Sequence, residues 1–100
     1  MTDGNLCVYA GSFDPPTRGH MFMIEEASRL FGRVIVAVGL NPEKTYSFTE
    51  EERLEMLREC TRGDDRVEVD HFENMFLVDY AQSVGARYIL RGIRSQQDYE

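Results

Sequence analysis

Ser12, His20, Lys44, Arg91 and Arg94 are suited by side-chain type and by their places along the chain to the handling of phosphate. The segment Gly11-Ser12-Phe13-Asp14-Pro15-Pro16-Thr17-Arg18-Gly19-His20 joins an apolar strand-like run, Asn5 to Ala10, to an amphipathic helix beginning at Gly19. A small-residue turn between strand and helix leaves backbone N–H groups unpaired and aimed one way, and the helix dipole adds positive potential. His20 falls in the first helical turn, beside those donors. An imidazole there can stabilise charge growing on phosphoryl oxygens during transfer, without serving as a nucleophile. Ser12, directly after the strand, offers its N–H and hydroxyl to the same corner. Lys44 lies in the loop after the second strand-like run, from which a lysine can reach a substrate phosphate, although most lysines are simply solvated. Arg91 and Arg94 flank Gly92 and Ile93 after the fourth strand-like run. Two guanidiniums at a strand's carboxyl end suit a polyphosphate, and Gly92 allows close backbone approach.

Other polar residues read more plainly. Asp14, before two prolines, is a turn residue whose carboxylate is unfavourable near phosphates unless a cation intervenes. Arg18 is expected in solvent, and His71 at a strand end without a role. Glu50, Glu51 and Glu52 form a solvated capping cluster behind Thr49, with Glu52 reaching back. Met21, Phe22 and Met23 read as core and crevice wall.

The elements that must position these residues alternate regularly. The first helix, Gly19 to Phe31, carries Met23, Ile24, Ala27, Leu30 and Phe31 on one face. Arg33 to Gly39 is a continuous apolar run, as for a strand covered on both faces. After Thr49 a helix runs to about Thr61, burying Leu54, Leu57 and Cys60. Val67 and Val69 mark a third strand, and Asp70 to Phe76 is expected to be loop-rich. Leu77, Tyr80, Ala81 and Val84 form a third helical face stopped by Gly85, and Tyr88 to Leu90 is the fourth strand. This β-α-β-α-β-α-β order predicts an α/β fold, a Rossmann-like doubly wound parallel sheet with right-handed crossovers, in one domain over residues 1–100. Ligands bind such sheets beyond the strand carboxyl ends, where strand order reverses. If the first and fourth strands flank that point, the Gly11–His20 and Arg91–Arg94 loops meet in one crevice, with the Lys44 loop alongside.

Bulk composition narrows the class further. The chain has 100 residues, 42% hydrophobic and 29% charged, an ordinary soluble composition. A net charge of -7 argues against nucleic acid or an anionic membrane as the main partner, but not against nucleotides held by local clusters. Cys7 and Cys60 have no metal-ligand spacing and are expected as buried reduced thiols. The first residues lack the pattern of a secretory leader and no run of 18 apolar residues occurs, which makes the cytoplasm the expected compartment.

Thr17-Arg18-Gly19-His20 resembles the T/HxGH signature of the nucleotidylyltransferase superfamily. GSFDPPTRGH, NPEK followed by FTEEER, LVDYA, and RGIR with a downstream DYE occur in the order seen in bacterial phosphopantetheine adenylyltransferases. The resemblance covers essentially the whole chain, and RGIR…DYE is its most specific part. It implies the nucleotidylyltransferase fold and transfer of AMP from ATP to 4'-phosphopantetheine, giving dephospho-coenzyme A and pyrophosphate, with Mg2+. It further implies that Ser12, Lys44 and Arg91 hold the acceptor phosphate and that Leu77, or its neighbour Phe76, contacts pantetheine. His20 would stabilise the transition state at the α-phosphate. Ser12, Phe13, His20, Gly92, Ile93 and Arg94 would line the ATP site, in a cytoplasmic homohexamer. The segment Phe72 to Leu77 is one residue longer than the family pattern. The sequence stops at Glu100, inside the DYE element, and lacks the family's last strand, its helices and a serine-rich ATP-phosphate segment. The resemblance thus implies a truncated chain, with an uncovered fourth strand and an acceptor half more complete than the ATP half. Adenylyl or cytidylyl transfer to another acceptor, such as nicotinate mononucleotide, is the enzymatic alternative. A non-catalytic nucleotide- or pantetheine-binding module is the alternative from another class.

Overall fold

In a computed structural model, which describes residues 5–40 and 43–91, the alternating pattern resolves into seven elements. They are β1 (Leu6–Gly11), α1 (Arg18–Phe31), β2 (Arg33–Gly39), α2 (Glu50–Cys60), β3 (Val67–Phe72), α3 (Leu77–Ser83) and β4 (Tyr88–Arg91). The strands form one parallel sheet in the order β3-β2-β1-β4. From β1 through β2 to β3 the chain steps one way. It then returns past both to place β4 on the far side of β1. A right-handed crossover puts the connecting helix on opposite faces for opposite step directions.

The two cores show this arrangement. Tyr9, Val34, Val36 and Val38 meet Ile24 and Ala27 of α1 and Leu54 and Leu57 of α2 on one face. Leu6, Val8, Ala10, Ile35 and Ala37 meet Tyr80 and Ala81 of α3 on the other. The period-2 alternation of side chains in β1 and β2 assigns each residue to its face. Because β2 is covered on both faces, Val34 to Val38 are all buried, and an unbroken apolar run is what that requires.

Three expectations need correction. Leu30 is 75% exposed, and Ser28 takes a place in the buried stripe of α1, its hydroxyl donating to the Glu25 carbonyl. At about 100° per residue Leu30 lies about 120° around the helix from Ile24, whereas Ser28 lies within about 40° of it. Cys60 is exposed rather than buried, because it is the last residue of α2 and faces a groove between α1 and the α2–β3 turn. Arg53, not Cys60, completes the buried set of α2 with Leu54 and Leu57. Finally, β3 continues through Asp70, His71 and Phe72, so the irregular stretch is shorter than expected. The ladder to β2 explains this, since Ala37, Val38 and Gly39 pair with those three residues. Gly85, at φ +79, ends α3 where the sequence places the stop. Among the described residues no helix is long and apolar enough to cross a membrane.

Candidate functional site

The order of strands reverses between β1 and β4, which are hydrogen-bonded neighbours with Ala10 opposite Arg91. The carboxyl ends of these strands therefore bring the Gly11–His20 turn and Arg91 side by side, and Arg91 is exposed there. Gly92, Ile93 and Arg94 lie outside the described residues.

The turn is built around Phe13. Its ring is buried (1% exposed) and packs edge-on against Tyr9 at 5.4 Å and against His20 at 4.8 Å. A Cβ at Gly11 would stand 3.2 Å from that ring, closer than ordinary van der Waals contact, so the ring would have to give by a few tenths of an ångström. With its ring inside, Phe13 can face a ligand only through its backbone, and that backbone sits at φ +49. The left-handed region costs a bulky residue on the order of 1–3 kcal/mol, strain that tends to collect at functional corners. The following Asp14–Pro15 bond is cis.

His20 is the third residue of α1, behind the N-cap Thr17. The Thr17 N–H donates to His20 Nδ1 at 2.9 Å, and the Thr17 hydroxyl accepts the His20 N–H at 3.3 Å. This is a capping box with histidine in the usual Glu or Gln place. Because Nδ1 accepts, the neutral ring carries its proton on Nε2, and the Phe13 ring fixes the imidazole plane. An oriented Nε2–H donor at a helix N-terminus is a group that stabilises phosphoryl charge.

The Lys44 loop is fastened to this turn twice. Asp14 uses both carboxylate oxygens, accepting the Ser47 N–H at 2.6 Å and the Phe48 N–H at 2.8 Å. The sequence assigns Asp14 only a turn role. With both oxygens bound to amides, its charge is satisfied without a cation. Arg53 makes the second tie. Its Nε donates to the Phe48 and Thr49 carbonyls at 3.1 and 3.2 Å, its Nη1 donates to the Ser12 carbonyl at 3.0 Å, and its plane lies over the Tyr46 ring at 4.2 Å. Sequence reasoning missed Arg53. The available signal was its phase, since it precedes Leu57 by one helical turn on the buried stripe.

The remaining positions distribute as follows. Ser12 is half-buried. Lys44 is exposed, with Nζ 5.8 Å from the Tyr46 ring centre. Leu77 begins α3 and is partly buried against the second core, while Phe76 before it is 80% exposed. Arg18 is exposed, as expected. Thr49 and Glu52 form the expected capping box of α2. Glu50 does more than cap: its Oε2 lies 2.9 Å from His71 Nδ1, so His71 bridges β3 to α2. The contact is a close approach rather than an aligned hydrogen bond, since that oxygen is buried without a hydrogen-bond partner. Among the described residues no cluster of three or more His, Cys, Asp or Glu could hold a metal ion.

With the Gly11–His20 corner placed at the switch point, comparison with known proteins identifies the fold family. A cytidylyltransferase-like family model matches residues 8–100. The chain belongs to this family. Its sequence is 61% identical to a phosphopantetheine adenylyltransferase of Chromobacterium violaceum over 93% of this chain and 57% of that protein. It is 54% identical to one of Neisseria meningitidis serogroup C, over 93% of this chain and 55% of that protein. A phosphopantetheine adenylyltransferase of Desulfatibacillum aliphaticivorans is 47% identical over 93% of this chain and 53% of that protein. The chain thus spans about half the length of the curated relatives it matches.

Proposed function

We propose that the chain carries the acceptor-binding and transition-state half of a phosphopantetheine adenylyltransferase. The observation that carries this reading is the His20 imidazole, held by the Thr17 amide with Nε2–H as its donor, one strand away from Arg91. The relatives' shared name supplies the acceptor. In the reaction a phosphate oxygen of 4'-phosphopantetheine forms a bond to the α-phosphorus of ATP. The bond from that phosphorus to the bridging oxygen of pyrophosphate breaks, and the electron pair leaves with pyrophosphate. Ser12, Lys44 and Arg91 orient the acceptor phosphate and offset its charge, holding nucleophile and target in line. His20 donates from Nε2 to a non-bridging α-phosphate oxygen as charge builds on it. Gly92, Ile93 and Arg94 extend the ATP side. Mg2+ enters this reading only as a companion of the nucleotide. A cytoplasmic, oligomeric enzyme, hexameric as the resemblance implies, belongs to the same proposal.

The experiment is an assay of pyrophosphate release from ATP and Mg2+ with either 4'-phosphopantetheine or nicotinate mononucleotide as acceptor. Release with the first alone is the expected result, with His20→Ala lowering the rate by about a hundredfold or more. Release with nicotinate mononucleotide alone would overturn the acceptor. A loss below about tenfold in a folded His20→Ala protein would remove His20 from the transition-state role.

A further inference from the structure

Arg53 is 1% exposed, yet among the described residues no carboxylate lies within ion-pair distance of it. A guanidinium stays charged at any working pH, and a buried charge needs compensating partners. Here the partners are carbonyl oxygens and an aromatic face. Two carbonyls, those of Phe48 and Thr49, belong to the entry of α2, while the third belongs to Ser12, 41 residues away in sequence. The Tyr46 ring, over which the guanidinium lies, is two residues from Lys44. A helix-entry tie would need only the first pair of contacts. The reach to Ser12 and the stacking on Tyr46 join two separate loops, each of which supplies one proposed ligand of the acceptor phosphate.

We propose that Arg53 is a positioning residue for that phosphate: it sets the Ser12 turn against the Lys44–Tyr46 loop, so that ligands from both loops converge on one anion. The inference rests on the function proposed above and deepens it. Its chemistry is particular to arginine. A planar fork can donate from Nε and Nη1 in different directions while presenting a flat face to an aromatic ring, and an ammonium group cannot. Its charge, met by carbonyl dipoles and a ring rather than by a carboxylate among the described residues, also adds positive potential beneath a corner that must attract an anion to a protein of net charge -7. Asp14 holds the same two loops from the other side through the Ser47 and Phe48 amides, so those amides report whether the loops remain joined.

The test uses the wild-type chain, Arg53→Met, Arg53→Ala and the more conservative Arg53→Lys, each shown to be folded by circular dichroism. Amide hydrogen exchange at Ser47 and Phe48 is measured without ligand, with Val36 and Ala37 of β2 as internal references. Dissociation constants for 4'-phosphopantetheine are then measured by calorimetry. In all three variants, exchange at Ser47 and Phe48 should accelerate by about tenfold or more with β2 unchanged. Affinity should fall by about tenfold or more in the folded protein. In Arg53→Ala, millimolar guanidinium should restore affinity and ammonium should not, a rescue that a purely stabilising role would not give. Unchanged exchange, or unchanged affinity, in a folded variant overturns the inference. If the wild-type chain fails to bind 4'-phosphopantetheine, the acceptor reading falls, and inorganic phosphate becomes the probe under the same criteria. Binding of neither by the wild-type chain overturns both.

Discussion

Replacing Asp14 with alanine asks whether the Gly11–His20 turn is held from outside itself. The carboxylate accepts the Ser47 N–H at 2.6 Å and the Phe48 N–H at 2.8 Å, partners 33 and 34 residues away in sequence. Hydrogen bonds to a charged acceptor contribute about 1.5–3 kcal/mol each, so the pair is worth at most about 3–6 kcal/mol. Ser47 and Phe48 are exposed, and water replaces the carboxylate in the variant, which favours the low end. The expected destabilisation is therefore about 2–3 kcal/mol, or a Tm lowered by about 8–24 °C in a domain of this size. Asp14→Asn keeps the shape but offers one carbonyl oxygen to two donors, and should cost about 1–2 kcal/mol. Urea unfolding at pH 7, followed by circular dichroism, reads these differences as shifts in midpoint at constant m-value. A loss below about 0.5 kcal/mol for Asp14→Ala would refute the claim that this carboxylate joins the two loops.

Leu57 is fully buried between α2 and the sheet, so Leu57→Ala should cost about 2–5 kcal/mol in the same unfolding assay. Thr49→Ala removes the N-cap of α2 and should cost about 1 kcal/mol by the same measure. Mass spectrometry after iodoacetamide treatment of the native protein should find Cys60 alkylated and Cys7 untouched until the chain is unfolded. Burial pushes the Cys7 thiol from its ordinary 9.0 up to about 11, so the folded state binds this proton more tightly than the unfolded state. Stability from this group is present below about pH 9 and lost as pH rises toward 11, and buried Tyr9 shifts in the same direction. Urea midpoints should fall between pH 8.5 and about pH 11, and Cys7→Ala should flatten that fall.

Much of the fold was legible because its signals are local or periodic. The run Val34 to Val38 required cover on both faces, and the Thr49–Glu52 box marked the start of α2. Both are properties of neighbours in sequence. The switch point was legible only conditionally, since strand order depends on which edge the third crossover returns to, and nothing local encodes that. At the site, the turn and His20 followed from residue type and position. The ties did not: Asp14 meets Ser47 and Phe48, and Arg53 meets Ser12, across long sequence separations. An arginine in the phase of Leu57 was the one local sign that a charge would be buried. The third strand was read short because Asp70 and His71 are polar, but a side chain at the end of an edge strand need not be apolar to be paired. Tyr80 meets Asp70 there at 2.6 Å and Glu50 approaches His71, so the polar residues are partnered rather than looped out.

The proposed binding of the 4'-phosphopantetheine phosphate at this corner is open to calorimetric titration of the chain with that compound, with nicotinate mononucleotide as control. Saturable binding of 4'-phosphopantetheine is expected, weakened in Lys44→Ala and Arg91→Ala, with no comparable binding of the control. Failure of a folded chain to bind 4'-phosphopantetheine, or equal binding of both compounds, would contradict it.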